Sequence, residues 1–241
     1  MKRRQIMFVN YAHRGASTYC PENTMLSFYT GMYMGANGIE TDVQITKDGV
    51  LVLFHDDDTE RILGVKGAIA DFTYAELLEM NVKNGKLTDK VPTFEDFIIH
   101  FRNFDITFAI ELKVVGVEKA VADMIYKYGI EDKVIITSFK FECIEEMKKC
   151  APALKVGYLT TKTDESVTDA LRAIGAEQIC PYGPKVTREL VDKWHAMGFN
   201  VRAWGIADTD IMTAVYEAGA DGMTVNFPDK LTELLGKEAR K

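Results

Sequence analysis

Short apolar runs alternate with stretches of helical period along most of this chain, and that alternation predicts strand followed by helix again and again. The first apolar run, Ile6, Met7, Phe8 and Val9, leads to His13. Pro21-Glu22-Asn23-Thr24 then reads as a helix entry, followed by Met25, Phe28, Met32 and Tyr33 at helical spacing, a core stripe. Gly35 and Gly38 end that helix and release a second run through Val43. Lys47-Asp48-Gly49 supplies a hairpin turn into Val50-Leu51-Val52-Leu53-Phe54, which ends in His55 and Asp56. Residues 57–89 are polar and interrupted by Gly64, Gly67 and Gly85, so the rhythm breaks there. It resumes at Val91, with Thr93 as the N-cap of a helix carrying Phe94, Phe97, Ile98 and Phe101. Strands are predicted over 108–112, 134–137, 155–159, 178–180, 200–204 and 222–225. Helices are predicted over 117–128, 141–150, 165–174, 187–197, 209–218 and 230–235. Eight strand-helix units result when the hairpin is set aside, which predicts a parallel, closed (β/α)8 TIM barrel. The 241 residues match the ~250 typical of that architecture, so a single domain over 1–241 is expected.

The chemistry sits at the ends of these strands. Glu40 and Asp42 are two apart in Gly38-Ile39-Glu40-Thr41-Asp42-Val43, so both carboxylates project from one face of an otherwise apolar strand. Side by side they repel, and a divalent cation with oxygen ligands neutralises them most directly. The same spacing recurs at Glu111 and Lys113, which adds a third carboxylate and a cation. His13, Arg14 and His55 also fall at or near strand ends, where the βα loops of a barrel converge on one mouth. His100 and His195 lie inside helices and read as structural.

His13-Arg14-Gly15, Pro21-Glu22-Asn23-Thr24, Gly38-x-Glu40-x-Asp42-Val43, Thr46-Lys47-Asp48-Gly49 and His55-Asp56 together resemble the signature of the glycerophosphodiester phosphodiesterase family. The likeness continues through Glu111-x-Lys113, Ser138-Phe139, Trp204 and Gly219-Ala220-Asp221-Gly222 to Pro228. It implies hydrolysis of a small glycerophosphodiester to glycerol 3-phosphate and an alcohol. Glu40, Asp42 and Glu111 would hold one divalent cation, Mg²⁺ or Ca²⁺, with Mn²⁺ also admitted. Arg14 and Lys113 would hold the phosphate. The resemblance casts His13 as general base and His55 as general acid, while the residues themselves leave the order of those roles open. The nucleophile is water, or a glycerol hydroxyl that forms a cyclic phosphate.

Trp204 would pack on the glycerol carbons or in the core, and Phe139 is a weaker candidate of the same kind. Glu22 and Asn23 read as support for Arg14 ahead of substrate contact, and Arg61 and Lys66 as solvated loop charges ahead of a role with substrate. By the same resemblance, 57–89 is a small insertion after the second barrel strand that overhangs the site. Two departures from the family pattern bear on substrate preference. Gly205-Ile206-Ala207 stands where a Thr and an Asn are usual, and Asn226 stands where an Asp is frequent. The rival readings are a lysophospholipase D or phospholipase C-like enzyme, against which the polar 57–89 segment speaks, and a non-catalytic barrel that binds phosphate-containing ligands.

Composition narrows the setting. The chain is 47% hydrophobic and 27% charged, as in a soluble globular protein, and its formal charge of -7 argues against nucleic acid as a partner. Lys2, Arg3 and Arg4 mimic the start of a signal peptide, but Asn10 and His13 interrupt the apolar run behind them. No stretch approaches the ~20 apolar residues of a membrane span, so no stable membrane insertion is expected and the location is read as cytoplasmic. Cys20, Cys143, Cys150 and Cys180 form no metal-type or disulfide-rich spacing and read as reduced thiols. Cys143 and Cys150, seven apart, are expected on one packed helix face.

Overall fold

The structure, a computed structural model, describes residues 8–238. Lys2, Arg3, Arg4, Ile6 and Met7 lie outside the described residues. The chain opens with β1 (Val9–His13), α1 (Met25–Tyr33), β2 (Gly38–Ile45) and β3 (Leu51–Leu53). Asn10 does not interrupt β1. It is buried within the strand, where its Nδ2 donates to Pro228 O at 2.9 Å and Thr232 Oγ1 at 3.0 Å, so the amide nitrogen is satisfied while Oδ1 has no hydrogen-bond partner. Thr24 caps α1 by accepting from Ser27 N at 3.3 Å, and Gly35, at φ +90°, lets the chain leave the helix.

Two short helices follow, α2 (Glu60–Leu63) and α3 (Tyr74–Glu79), then a small hairpin of β4 (Val82–Asn84) and β5 (Leu87–Asp89). The regular part runs α4 (Phe94–Phe101), β6 (Thr107–Leu112), α5 (Glu118–Tyr128), β7 (Val134–Ser138), α6 (Phe141–Cys150), β8 (Lys155–Thr160) and α7 (Glu165–Ala173). It ends with β9 (Gln178–Pro181), α8 (Arg188–Ala196), β10 (Asn200–Ile206), α9 (Thr209–Ala218), β11 (Gly222–Val225) and α10 (Pro228–Glu238).

Eight strands pair in parallel in the cyclic order β1, β2, β6, β7, β8, β9, β10, β11, and β1 closes the ring by pairing with both β2 and β11. The predicted barrel is therefore present. β3 lies outside the ring, antiparallel to the end of β2. Parallel strands are covered on both faces, which explains why they read as near-continuous apolar runs; every residue of β2 except Ile45 is buried. Between helix and barrel, Phe28, Phe97, Phe101 and Phe108 interlock edge to face, with Phe28 and Phe97 centroids 5.0 Å apart.

Residues 57–89 hold more order than their polar sequence predicts. Ile69, Leu77 and Val82 form a second apolar cluster with Val52, Phe54 and Val91, so a few well-spaced hydrophobic residues suffice where the chain folds back on β3. Asn84 Nδ2 donates to Ser17 O at 3.2 Å and Cys20 O at 3.1 Å, which ties the β4–β5 hairpin to the loop after β1. The expected packed face of Cys143 and Cys150 is not found: Cys143 is buried, but Cys150 is the last residue of α6 and is exposed where the chain turns away.

Candidate active site

The strand ends bring the expected residues together. Cα register places Glu40 beside His13 across β1 and β2, and Asp42 beside Glu111 across β2 and β6. The two-residue period then points Glu40 and Asp42 to the same side. One carboxylate oxygen from each of Glu40, Asp42 and Glu111 lies within 4.8 Å of the other two, and all three residues are buried. Two oxygens bound to one Mg²⁺ or Ca²⁺ at ~2.0–2.6 Å stand up to roughly 5 Å apart, so the triad fits a divalent cation. The donor set is all oxygen, and Asp42 Oδ1 is buried with no hydrogen-bond partner. Burial, then repulsion from Asp42 and from Glu111, pushes the Glu40 carboxyl up to about 8. Burial and the Asp42 charge push Glu111 up to about 7. Burial works to raise Asp42 as well, but the charges of Arg14, His55 and Lys113 outweigh it and hold Asp42 below the usual carboxylate range.

The cations sit among these acids. Lys113 Nζ donates to Glu111 Oε1 at 2.8 Å and lies 3.8 Å from Asp42 Oδ1. Arg14 Nη1 donates to Glu22 Oε1 at 2.7 Å, and its Nε is 3.4 Å from Asp42 Oδ2. Arg14 and Asn23 both adopt left-handed backbone at φ 54°, an uncommon conformation for residues with a Cβ. Gly15, at φ +82°, permits the tight return, since an added Cβ would fall 2.3 Å from Ser27 Oγ. Asn23 uses its bend well: Nδ2 donates to Asp42 Oδ2 at 2.9 Å while Oδ1 accepts from Thr41 Oγ1 at 2.8 Å, fixing the aspartate's orientation.

Each histidine has one nitrogen engaged. His13 Nδ1 pairs with Asn226 Oδ1, which can only accept, so the proton resides on Nδ1 and Nε2 stays free, 3.9 Å from Glu40 Oε2. Low in the mouth, His13 is held down to about 4 by desolvation and then by the Arg14 charge, although 31% of its side chain remains accessible. His55 Nδ1 pairs with Asp56 Oδ1 at 2.7 Å. Hydrogen bonds from Arg61, more than any other influence, hold Asp56 down to about 2, so this carboxylate accepts and His55 Nδ1 donates.

A cavity of about 210 Å³ opens here, lined by His13, Arg14, Glu40, His55, Glu111 and Trp204, among others. Trp204 is fixed as one wall: Nε1 donates to Cys180 O at 3.0 Å, and its ring meets Phe139 edge-on at 4.7 Å and Tyr182 at 5.0 Å. The departure at Gly205 has a local cause. The β10–β11 register shifts between Ala203 and Ile206, Gly205 takes φ +71°, and an added Cβ would sit 2.5 Å from the Tyr182 ring.

Sequence reasoning missed several residues of this site. Arg61 is not a solvated loop charge, since it forms four hydrogen bonds to Glu22 and Asp56. Asn226, seen only as a departure, orients His13. Arg202 is fully buried in the barrel, donating to Thr224 Oγ1 at 2.6 Å and Gln178 Oε1 at 3.2 Å, and lines the cavity. A cation inside the apolar 200–204 run was the available signal for it. His100 and His195 bond Tyr29 and Asp221 on the outer helices, as a structural role requires.

Known proteins resemble this chain over most of its length. A glycerophosphodiester phosphodiesterase of Caldanaerobacter subterraneus is 35% identical over 236 residues, spanning 94% of this chain and 97% of that protein. One from Bacillus altitudinis is 31% identical over 238 residues, spanning 93% and 96%. In three dimensions, an Oleispira antarctica phosphodiesterase solved in complex with the product sn-glycerol-3-phosphate superposes with a TM-score of 0.85 at 23% identity, over 94% of this chain and 96% of that one. The model of the glycerophosphoryl diester phosphodiesterase family matches residues 13–230, from the first histidine of the mouth into α10. With nearly the whole barrel inside that match, this chain belongs to the glycerophosphoryl diester phosphodiesterase family.

Proposed function

We propose that the protein hydrolyses glycerophosphodiesters to glycerol 3-phosphate and an alcohol, with one divalent cation held by Glu40, Asp42 and Glu111. The observation that carries this reading is the meeting, at one mouth, of a buried carboxylate triad and two part-exposed histidines, His13 at the end of β1 and His55 in the loop after β3. The printed names of the curated relatives and the product held by the Oleispira protein support the substrate class. A bound Mg²⁺, Ca²⁺ or Mn²⁺ would supply Lewis-acid stabilisation of the charge on a non-bridging phosphoryl oxygen. Arg14 and Lys113 add positive charge beside the same oxygens, which lowers the barrier for a nucleophile approaching an anion.

His13 is the base. Its proton is confined to Nδ1 by Asn226, and its depressed pKa keeps Nε2 free to take the nucleophile's proton near neutrality. His55, oriented through Asp56, carries a proton on Nε2 to the departing alkoxide. Trp204 gives the glycerol carbons an apolar wall. No helix among the described residues is long and apolar enough to cross a membrane, and a small soluble diester suits that. The cysteines are free thiols, and we place the protein in the cytoplasm.

The test is turnover of glycerophosphocholine by metal-stripped protein with Mg²⁺, Ca²⁺ or Mn²⁺ restored, beside the His13→Ala variant. Restored turnover that the variant loses by about 10²-fold or more is expected. Ligand binding without turnover under every metal would sink the hydrolase reading and leave a phosphate-binding barrel.

A further inference from the structure

Arg61 stands outside the cavity lining, on the four-residue helix α2, with 53% of its side chain exposed. An exposed arginine usually forms at most one loose ion pair. This one makes four hydrogen bonds to two carboxylates. Nε and Nη2 reach Asp56 Oδ2 and Oδ1 at 2.5 and 2.8 Å, while Nη1 and Nη2 reach Glu22 Oε2 and Oε1 at 2.9 Å each. Such paired contacts fix a planar guanidinium in both distance and orientation.

Each of those carboxylates has a second commitment inside the mouth. Asp56 Oδ1 accepts from His55 Nδ1 at 2.7 Å, and Glu22 Oε1 accepts from Arg14 Nη1 at 2.7 Å. The chain of contacts therefore runs His55, Asp56, Arg61, Glu22, Arg14, linking the loop after β3 to the loop after β1. Without the guanidinium the two carboxylates would repel, because Glu22, His55 and Asp56 offer atoms within 4.8 Å of one another. A second divalent cation at those three groups is the competing reading, but Arg61 already occupies the space between the two acids and supplies the positive charge.

We propose that Arg61 is a positioning residue, which sets His55 and Arg14 at one fixed separation by clamping Asp56 and Glu22. The proposal rests on the hydrolase reading above and deepens it. A misplacement of about 1 Å at a reacting group costs about 10²-fold in rate, so the clamp acts on turnover more than on substrate affinity.

The experiment compares wild type, Arg61→Met, Arg61→Lys, Asp56→Asn and the Arg61→Met/Asp56→Asn double variant on glycerophosphocholine with metal present. ¹⁵N NMR of the His55 imidazole is recorded alongside. For Arg61→Met, kcat should fall by about 10- to 100-fold with KM within about threefold. Arg61→Lys should restore part of the loss, because an ammonium carries the charge without the fork. The double variant should be no worse than the slower single one within about twofold, since both break one chain of contacts. In the neutral imidazole, recorded at high pH, His55 should be a single Nδ1–H tautomer in wild type, held by Asp56, and a mixture in Arg61→Met. An unchanged tautomer, a wild-type kcat in Arg61→Met, or binding of a second cation at undiminished rate would overturn the clamp. Wild-type protein that never turns over, while Arg61→Met still loses the tautomer, would sink the hydrolase reading and uphold the clamp.

Discussion

Asn226 shows how much one atom type decides. Its carboxamide oxygen accepts from His13 and from Ser17 Oγ at 3.1 Å, so it orients the imidazole without adding charge. Asn226→Asp would put a carboxylate on Nδ1, and a nearby negative charge favours imidazolium. The His13 pKa should then rise from about 4, and because a base must be neutral to act, the acid limb of the kcat/KM profile should move to higher pH by about one unit. A pH profile that leaves that limb in place would remove His13 as the titrating base. A second prediction comes from the triad. With no ion bound, Glu40 near 8 and Glu111 near 7 hold protons that a cation must displace. Metal affinity should therefore rise between pH 6 and 8, by up to about tenfold per unit for each proton released, and calorimetry in buffers of different ionisation enthalpy should count those protons. An affinity flat over that range would place the ion elsewhere. At this scale the sequence exposed the charged residues that meet at the mouth, because charge inside an apolar strand is conspicuous. It hid Arg61 and Asn226, whose partners Glu22 and His13 lie 39 and 213 positions away.

Elements with a strong period were legible almost to their ends. The Thr93 N-cap, which accepts from Asp96 N at 2.9 Å, and the antiparallel return of β3 stand where the pattern put them. What failed was local and has causes. α3 and the β4–β5 hairpin escaped because the apolar residues that hold them are sparse and pack against β3 instead of one another. The bulge at Gly205 was visible only as an unexplained departure. It yields a test: Gly205→Thr forces a β-branched residue into φ +71° against Tyr182 and should lower stability by about 1–3 kcal/mol. Removing the ring with Tyr182→Ala should recover only the steric part, read as an incomplete return of Tm. A Gly205→Thr protein as stable as wild type would mean that the bulge relaxes and that the Trp204 wall moves with it.

For the whole molecule, composition and rhythm gave the barrel, since eight parallel strands buried on both faces leave a repeating apolar imprint. They did not give the closure contacts, which join segments more than 200 positions apart in the sequence, such as Val9 and Gly222. β1 is the seam, paired on one side with β2 and on the other with β11. A chain leaving the ribosome makes β1 earliest among these strands and waits for β11 until nearly everything else has been synthesised. Glu40, Asp42 and Glu111 are all present by the time β6 has emerged, yet Asn226 arrives only beyond β11. A stalled chain ending before β11 can hold the acidic cluster but cannot orient the His13 imidazole. The seam thus leaves the mouth incomplete until synthesis has passed β11: the three carboxylates are made long before the residue that orients His13.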